Sequence, residues 1–355
     1  METAKNFMSE LRAVYRWLED DISRDIYLQR FNYLLTDDKS YIDNIVRKYL
    51  PQLKIYGESE RFCQYINSQS DVSVILYGAG RDASFLASQL KKLNGNILFC
   101  DRNTDKQING FFGYKVISPE KLHSSYRKAC VIITTSKYVH EIRDDLIKHG
   151  FDKDQIVDMH NLLAMYVPGF YFDMPFLHYG EHEVFVDAGS YNLGTTRLLL
   201  KYCDHLDKVY AFEPSEDNFQ LCERCKSENK MDFVNLYNYG TWSRNDVLQF
   251  DATMDTGSRV AANGEAKIRV VAIDDIVGED KVTFIKMDVE GSELESLRGA
   301  KKTILNHKPK LAISIYHKLE DMVTIPSYIH SIVPYYKFYV RHLSNLWTET
   351  VLYAV

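Results

Sequence analysis

Residues 183–196 read EVFVDAGSYNLGTT: a short apolar run closes on an acid, Asp187, and then opens into a glycine-bearing loop that leads toward a helix. A buried strand followed by such a loop is the ligand-binding corner of an open α/β sheet, because the backbone can pass close to a bound group at a glycine. The position of the acid narrows the ligand. A carboxylate at the strand end repels a pyrophosphate and suits a group that is cationic at that point.

The next strand ends on a second acid, Glu213, in YAFEPSEDN. A carboxylate there can accept two hydrogen bonds from a ribose diol. The pair favours S-adenosylmethionine, cationic at its sulfonium and amino group, over a nucleotide diphosphate. Asp187, Gly189, Ser190, Asn192 and Gly194 are the expected contacts of its methionine part, and Glu213, Pro214 and Asn218 those of its ribose side.

Working outward, strands and helices alternate on both sides. After EVFVDAG come DKVYAFEP and DFVNLYNYG, two antiparallel additions in VLQFDA and AKIRVVAIDD, the buried strand VTFIKMDVEG, a helix in GSELESLRGAKKTILNHKP, and the strand KLAISIYH. YKFYVRHL and TETVLYAV form a terminal hairpin pattern. A parallel αβ core finished by a hairpin is the class I methyltransferase variant of the doubly wound sheet. Residues 72–160 alternate in the same way, starting from DVSVILYG and a helix in RDASFLASQLKKLNG. Its first turn, Gly78-Ala79-Gly80, with Asp101 ending the following strand, matches a dinucleotide fingerprint as well as it matches a turn kept for packing. Residues 1–70 carry apolar side chains at helical spacing, enough to pack on another surface, a second subunit included. The expected organisation is α/β throughout: a helical segment at 1–70, a small Rossmann-like parallel-sheet domain at 71–165, and a class I methyltransferase Rossmann-like domain with a C-terminal β-hairpin at 166–355.

The 355 residues carry a net charge of −6, which argues against a dedicated nucleic-acid binder. No apolar run reaches membrane-spanning length and METAKNFMSE is not a secretory signal, so a cytoplasmic protein is expected. The six cysteines are scattered, as suits reduced thiols. Cys222 and Cys225 form a CxxC without a second pair to complete a zinc set.

VFVDAGS, YAFEPSEDN, VVAIDD and above all FIKMDVEGSELESLRGA resemble the FkbM family of S-adenosylmethionine-dependent O-methyltransferases. PKLAISIYHKLEDMVTIP, YVRHL and VLYA extend the likeness to the C-terminus. The resemblance implies methyl transfer to a hydroxyl, often of a sugar or polyketide. One position departs from the commoner pattern: the second loop glycine follows the first by four residues there, whereas here Leu193 holds that place and Gly194 comes next. YGAGRDASFLASQL, FCDRNTDKQINGFFGYKVISPEKL and CVIITTSKYVHEI resemble the small Rossmann-like domains at the front of some sugar-modifying enzymes, which implies a nucleotide sugar as a second ligand at Gly78, Gly80 and Asp101.

A sugar hydroxyl is a poor nucleophile at neutral pH, so a general base is expected at the strand ends near the methyl group. His317 after KLAISIY is the favoured base, with Asp288 orienting it or meeting the acceptor. Glu290 serves the site or the start of the following helix, and Glu293 reads chiefly as a helix-start acid. Lys286, inside the strand, is expected to pair with a carboxylate. Tyr316, Arg341 and His342 are candidate acceptor contacts. Asp288, Glu290 and His317 could together ligate a divalent cation, but their spacing does not mark a ligand set, and no metal is expected.

The reading is an O-methyltransferase for a sugar or glycan-related acceptor. The alternatives are a nucleotide-sugar or dinucleotide-binding regulator with a non-catalytic methyltransferase-like domain, and an NAD-linked oxidoreductase. The latter leaves Asp187 and Glu213 unexplained.

Overall fold

Helical periodicity in the first fifty residues produces α1 (Glu2–Trp17), α2 (Asp21–Thr36) and α3 (Ser40–Tyr49). Asp20 caps α2 by accepting from Ser23 N at 2.7 Å, and Asp37 ends it in a left-handed conformation. The computed structural model describes residues 2–53, 73–80, 83, 97–135, 138–159, 167, 169–251, 259–260 and 266–355. The chain divides into two compact units, Pro51–Met165 and Met1–Leu50 with Tyr166–Val355. The first fifty residues thus group with the C-terminal part of the chain.

The unit Pro51–Met165 is built on a parallel sheet of β1 (Val74–Tyr77), β2 (Ile97–Cys100), β3 (Val116–Ile117), β4 (Cys130–Ile133) and β5 (Ile156–Asp158), in the order β3-β2-β1-β4-β5. β1, β2 and β4 are buried at every residue, as expected of strands covered on both faces. Their apolar side chains meet Leu122 of α5 (Pro119–Ser125) and Ile142 and Leu146 of α6 (Val139–Lys148) in one core. α4 (Thr104–Asn109) lies between β2 and β3 in sequence. The helix expected at RDASFLASQLKKLNG, Ala83 apart, and the end of the 1–70 helical segment lie outside the described residues.

The larger unit carries β6 (Glu183–Ala188), α7 (Gly194–Leu199), β7 (Leu206–Phe212), α8 (Glu216–Glu228) and β8 (Val234–Tyr237). A separate four-stranded sheet follows, from β9 (Gly240–Thr241), β10 (Asp246–Asp251), β11 (Arg259–Val260) and β12 (Ala266–Val271); β10 and β12 pair antiparallel, as the sequence implied. The chain returns through α9 (Ile273–Val277), β13 (Phe284–Met287), α10 (Glu293–Gly299), α11 (Lys301–His307), β14 (Lys310–Ser314), α12 (Asp321–Ile332), β15 (Phe338–His342) and β16 (Thr350–Ala354).

The main sheet has the order β15-β16-β14-β13-β6-β7-β8. β16 is inserted antiparallel between β14 and β15, and the remaining neighbours are parallel. This is the hairpin-finished class I methyltransferase order. Strand order reverses between β6 and β13, so a crevice opens above their C-terminal ends, where ligands bind in such sheets.

β15 would be a bare edge strand, a liability for pairing with other chains. The N-terminal helices cover it. Leu18 forms a bridge with Phe338, Glu19 N donates to Phe338 O at 3.0 Å, and Tyr27 Oη donates to Met322 O at 2.8 Å. Trp17 stacks on His330 of α12 at 4.0 Å. Among the described residues no helix is long and apolar enough to cross a membrane.

Candidate active site

β6 and β13 are paired so that Asp187 and Lys286 are direct cross-strand partners. Lys286 Nζ lies 3.3 Å from Asp187 Oδ1, and both side chains are buried. Asp187 Oδ2 also accepts from Thr195 Oγ1 at 2.7 Å and Thr196 Oγ1 at 2.9 Å, at the start of α7. Lys286 Nζ reaches on to donate to Gly189 O at 2.6 Å. Burial alone would pull the lysine's pKa down, but Asp187 and Asp288 outweigh it and hold the ammonium above its ordinary value. The expectation that Lys286 pairs with a carboxylate describes its surroundings. Asp187, expected to face a cationic ligand, is instead turned into the sheet, where it tethers the loop through Lys286 and α7.

That loop is shaped by backbone demands. Gly189 has φ +81°, and a Cβ there would collide with the carbonyl oxygen of Asp288. Only glycine allows this approach between the ends of β6 and β13. Leu193, standing where the commoner family pattern has glycine, adopts φ +59° with its side chain buried. The backbone thus keeps the left-handed turn that glycine enters without strain, and burial of the leucine offsets the cost. Asn192 Oδ1 accepts from Gly194 N at 2.9 Å, and Ser190 N donates to Phe212 O at 3.1 Å.

Glu213, at the end of β7, is bound to the same loop. Its Oε2 accepts from Tyr191 N at 2.9 Å, and its Oε1 accepts from Ser215 N at 3.0 Å and Asn218 Nδ2 at 3.5 Å. Burial raises its pKa despite these bonds. A carboxylate has about four acceptor sites, so these three bonds leave one free, on Oε2, and the bond from Asn218 is the longest of the three. Pro214 follows directly, and Cys222, on α8, faces Ser190 Oγ at 3.9 Å. Cys222 and Cys225 both lie on α8 and form no disulfide.

Beyond β13 and β14 the structure gathers acids around one imidazole. His317 Nδ1 is 3.0 Å from Glu293 Oε1, and its Nε2 is 3.3 Å from Glu290 Oε2 and 3.6 Å from Asp288 Oδ1. Burial would lower the ring's pKa, but Glu293, Glu290 and Asp288 together push it well above the ordinary histidine value. Asp288 moves the other way: burial raises it, Lys286 and His317 prevail, and its carboxyl is lowered. Tyr316 Oη donates to Asp288 Oδ1 at 3.0 Å, and Tyr171 Oη to Asp288 Oδ2 at 3.2 Å. Glu293 Oε1 also accepts from Val289 N at 2.9 Å and Gly291 N at 3.3 Å, so it organises the turn before α10.

Two members of this cluster carried no signal in their local sequence. Tyr171 belongs to the aromatic stretch before β6, and its hydroxyl lies 3.4 Å from Glu349 Oε2 as well as against Asp288. Glu349, at φ +65° just before β16, is pushed up to about 8 by burial and by Asp288. A hairpin reading of TETVLYAV conceals a polar group, Glu349, that only the closed sheet brings inward.

Arg341 and His342 lie elsewhere. Arg341 pairs with Asp20 Oδ2 at 2.6 Å and donates to Ser23 Oγ at 2.8 Å, locking α2 to β15. His342 is buried between Thr350 Oγ1 and Leu346 O, each at 2.9 Å. Burial, then the Arg30 guanidinium, lowers its pKa to about 3. Because the unfolded ring titrates near 6.5, the unfolded state takes the proton first. Stability from this group is complete above that value and is lost as pH falls toward the folded value, at about 1.4 kcal/mol per pH unit. Urea unfolding at about pH 7 and about pH 5 is expected to show a smaller acid loss in His342→Gln than in the parent chain. Equal losses would mean the ring is not held neutral.

In the smaller unit, the turn after β1 is closed upon itself. Asp101 Oδ2 accepts from Ala79 N at 2.7 Å, and its Oδ1 accepts from Asn103 N at 2.9 Å. Lys106 Nζ sits 3.6 Å from Asp101 and donates to Ala79 O at 2.8 Å. Gly78 has φ +113° and packs against Thr134; Gly80 stands in the bend beyond it. Asp101, expected at a ribose, is engaged with its own loop.

Parts of the chain are similar to known proteins. Residues 70–157 match the C2185-like, N-terminal family. A curated relative, the hexuronic acid methyltransferase AglP of Haloferax volcanii, is 32% identical over 126 residues, covering 34% of this chain and 50% of its own length. The chain therefore spans about half of that relative. The crystal structure of methyltransferase FkbM from Methylobacillus flagellatus KT aligns over 94% of this chain and 99% of its own, with 19% identity and a TM-score of 0.49. An rRNA methylase from Streptococcus thermophilus aligns over 49% of this chain and 86% of its own, with 17% identity and a TM-score of 0.33. The family model of the methyltransferase FkbM domain matches residues 184–338, from β6 to the start of β15.

Proposed function

We propose that the chain is an S-adenosylmethionine-dependent O-methyltransferase whose acceptor is a hydroxyl of a sugar or glycan-related molecule. The observation that carries this reading is the contact between the two halves of the site. Gly189, in the loop after β6, lies directly against the backbone of Asp288, the first acid of the cluster after β13.

S-adenosylmethionine would supply an already activated methyl group, so the protein's task is chiefly alignment. Glu213 would accept the ribose diol at its free Oε2 site and in place of the long bond from Asn218. Ser190, Asn192 and Gly194 shape the loop along the methionine part, and Asp187 acts through Lys286 by fixing that loop. Asp288, ionised and oriented by Tyr171 and Tyr316, meets the acceptor hydroxyl, and the carboxylates of Asp288 and Glu290 take up its proton beside the His317 ring that orients and pairs with them. A sugar acceptor is supported by the curated relative's name as a hexuronic acid methyltransferase and by the tyrosine faces beside the cluster. The turn of the smaller unit, with Asp101 bound internally, is given a packing role rather than a ligand.

His317→Gln is expected to lower turnover about a hundredfold, within the usual range for a group that assists proton transfer. Its affinity for S-adenosylhomocysteine should stay within a few-fold of the parent. Turnover is read with a panel of hexuronic acid and neutral sugar acceptors. An unchanged rate would remove the ring from the chemistry, and methylation of none of these acceptors would redirect the search to another acceptor class.

A further inference from the structure

His317 is nine-tenths buried, yet neither ring nitrogen makes a well-directed hydrogen bond among the described residues. It is surrounded by carboxylates. Glu293 faces Nδ1, Glu290 and Asp288 face Nε2, and Asp321 and Glu349 stand behind them. Of the nearby ammonium groups, Lys286 pairs directly with Asp187 and acts on Asp288 only through its field, and Lys318 donates to the carbonyl of Gly291. Fully buried Glu293 also keeps Oε2 without a hydrogen-bond partner among the described residues. Buried acids in such excess are held either by protons or by a cation, and a metal ion can take the place of the protons.

We propose that Asp288, Glu290 and His317 Nε2 form a site for a divalent cation of the magnesium or manganese class. An overlapping triple of the same cluster, Asp288, Glu293 and His317, places donor atoms within 4.8 Å of one another, and Glu290 Oε2 adds a further donor 3.3 Å from Nε2. The 3.3 and 3.6 Å spacings from Nε2 to Glu290 and Asp288 lie a few tenths above the roughly 3 Å between adjacent ligands of an octahedral ion with bonds of about 2.1 Å. Carboxylate oxygens with one imidazole suit a hard or borderline ion. Glu293 has the place of an orienting carboxylate: it holds the far side of the imidazole, and the Nε2 side faces the ligands. The three donors come from the ends of two adjacent parallel strands, so the sheet itself fixes their separation.

The proposal rests on the methyltransferase reading for its use. The cation would bind acceptor oxygens beside the methyl donor, and proton acceptance would rest with the neighbouring carboxylates. The site itself is testable without turnover. The full-length chain is titrated with Mn²⁺ alone, reading the free-ion signal by electron paramagnetic resonance, and S-adenosylhomocysteine binding is measured separately by calorimetry. One equivalent of Mn²⁺ is expected to bind, with affinity lowered roughly tenfold or more in both Asp288→Asn and Glu290→Gln. Glu290→Gln, at the more open edge of the cluster, should still bind S-adenosylhomocysteine, which reports an intact fold. No Mn²⁺ binding up to about 1 mM in a chain that binds S-adenosylhomocysteine would overturn the cation site and leave the methyltransferase reading standing. Equal Mn²⁺ affinity in the parent and both variants would likewise overturn it. Mn²⁺ binding lost in the variants, with no S-adenosylhomocysteine bound by the parent, would keep the cation site and reject the methyltransferase reading.

Discussion

Glu213→Ala is expected to weaken S-adenosylhomocysteine binding by roughly a hundredfold to a thousandfold, about 3–4 kcal/mol. The carboxylate has two tasks. It is proposed to accept the ribose diol, and hydrogen bonds to a charged acceptor contribute about 1.5–3 kcal/mol each. It also accepts from Tyr191 N and Ser215 N, so alanine leaves both N–H groups without their acceptor and frees the loop from the end of β7. Glu213→Gln keeps one carbonyl acceptor and should lose nearer tenfold. Calorimetry on the parent and the two variants provides the comparison. Equal affinity in all three would remove the ribose from this position and with it the cofactor assignment.

Lys286→Met should destabilise the larger unit by about 3–5 kcal/mol, because it leaves the Asp187 carboxylate buried without its counter-charge. The two threonine hydroxyls that remain on Asp187 cannot neutralise it. Gly189 O also loses its donor, so cofactor affinity should fall together with stability. Replacing the pair with apolar residues of similar size, as in Lys286→Met with Asp187→Leu, should recover part of the stability because the stranded charge is gone. Urea unfolding of the single and double variants tests this. A single variant that loses less than about 1 kcal/mol would show that the two groups are not a buried ion pair.

The strands around the site were readable because each is a local pattern. VFV, VYAF and FIKM are short apolar runs, the last interrupted by Lys286, each closed by an acid, and a strand's end is where a ligand sits in this sheet class. Asp288, Glu290 and His317 could be nominated together on that ground, and the fold does gather them around one ring. The same rule gave no purchase on Arg341 and His342. They also stand at a strand end, but β15 is the outer strand, and its end meets α2 and the closing hairpin loop rather than the crevice.

The sequence by itself determined the alternation of strands and helices, the acids that close β6, β7 and β13, and the glycine at the tightest approach. These depend on residue periodicity and on backbone conformations that one residue type allows. Only the tertiary structure decided which of those acids are free. Asp187 is taken by Lys286 because parallel pairing of β6 with β13 makes residues 99 positions apart into direct neighbours. Glu349 and Tyr171 enter the acid cluster because β16 is inserted beside β14. Charge pairing falls off within a few ångströms, so it follows strand register, and no local pattern of residues records the register.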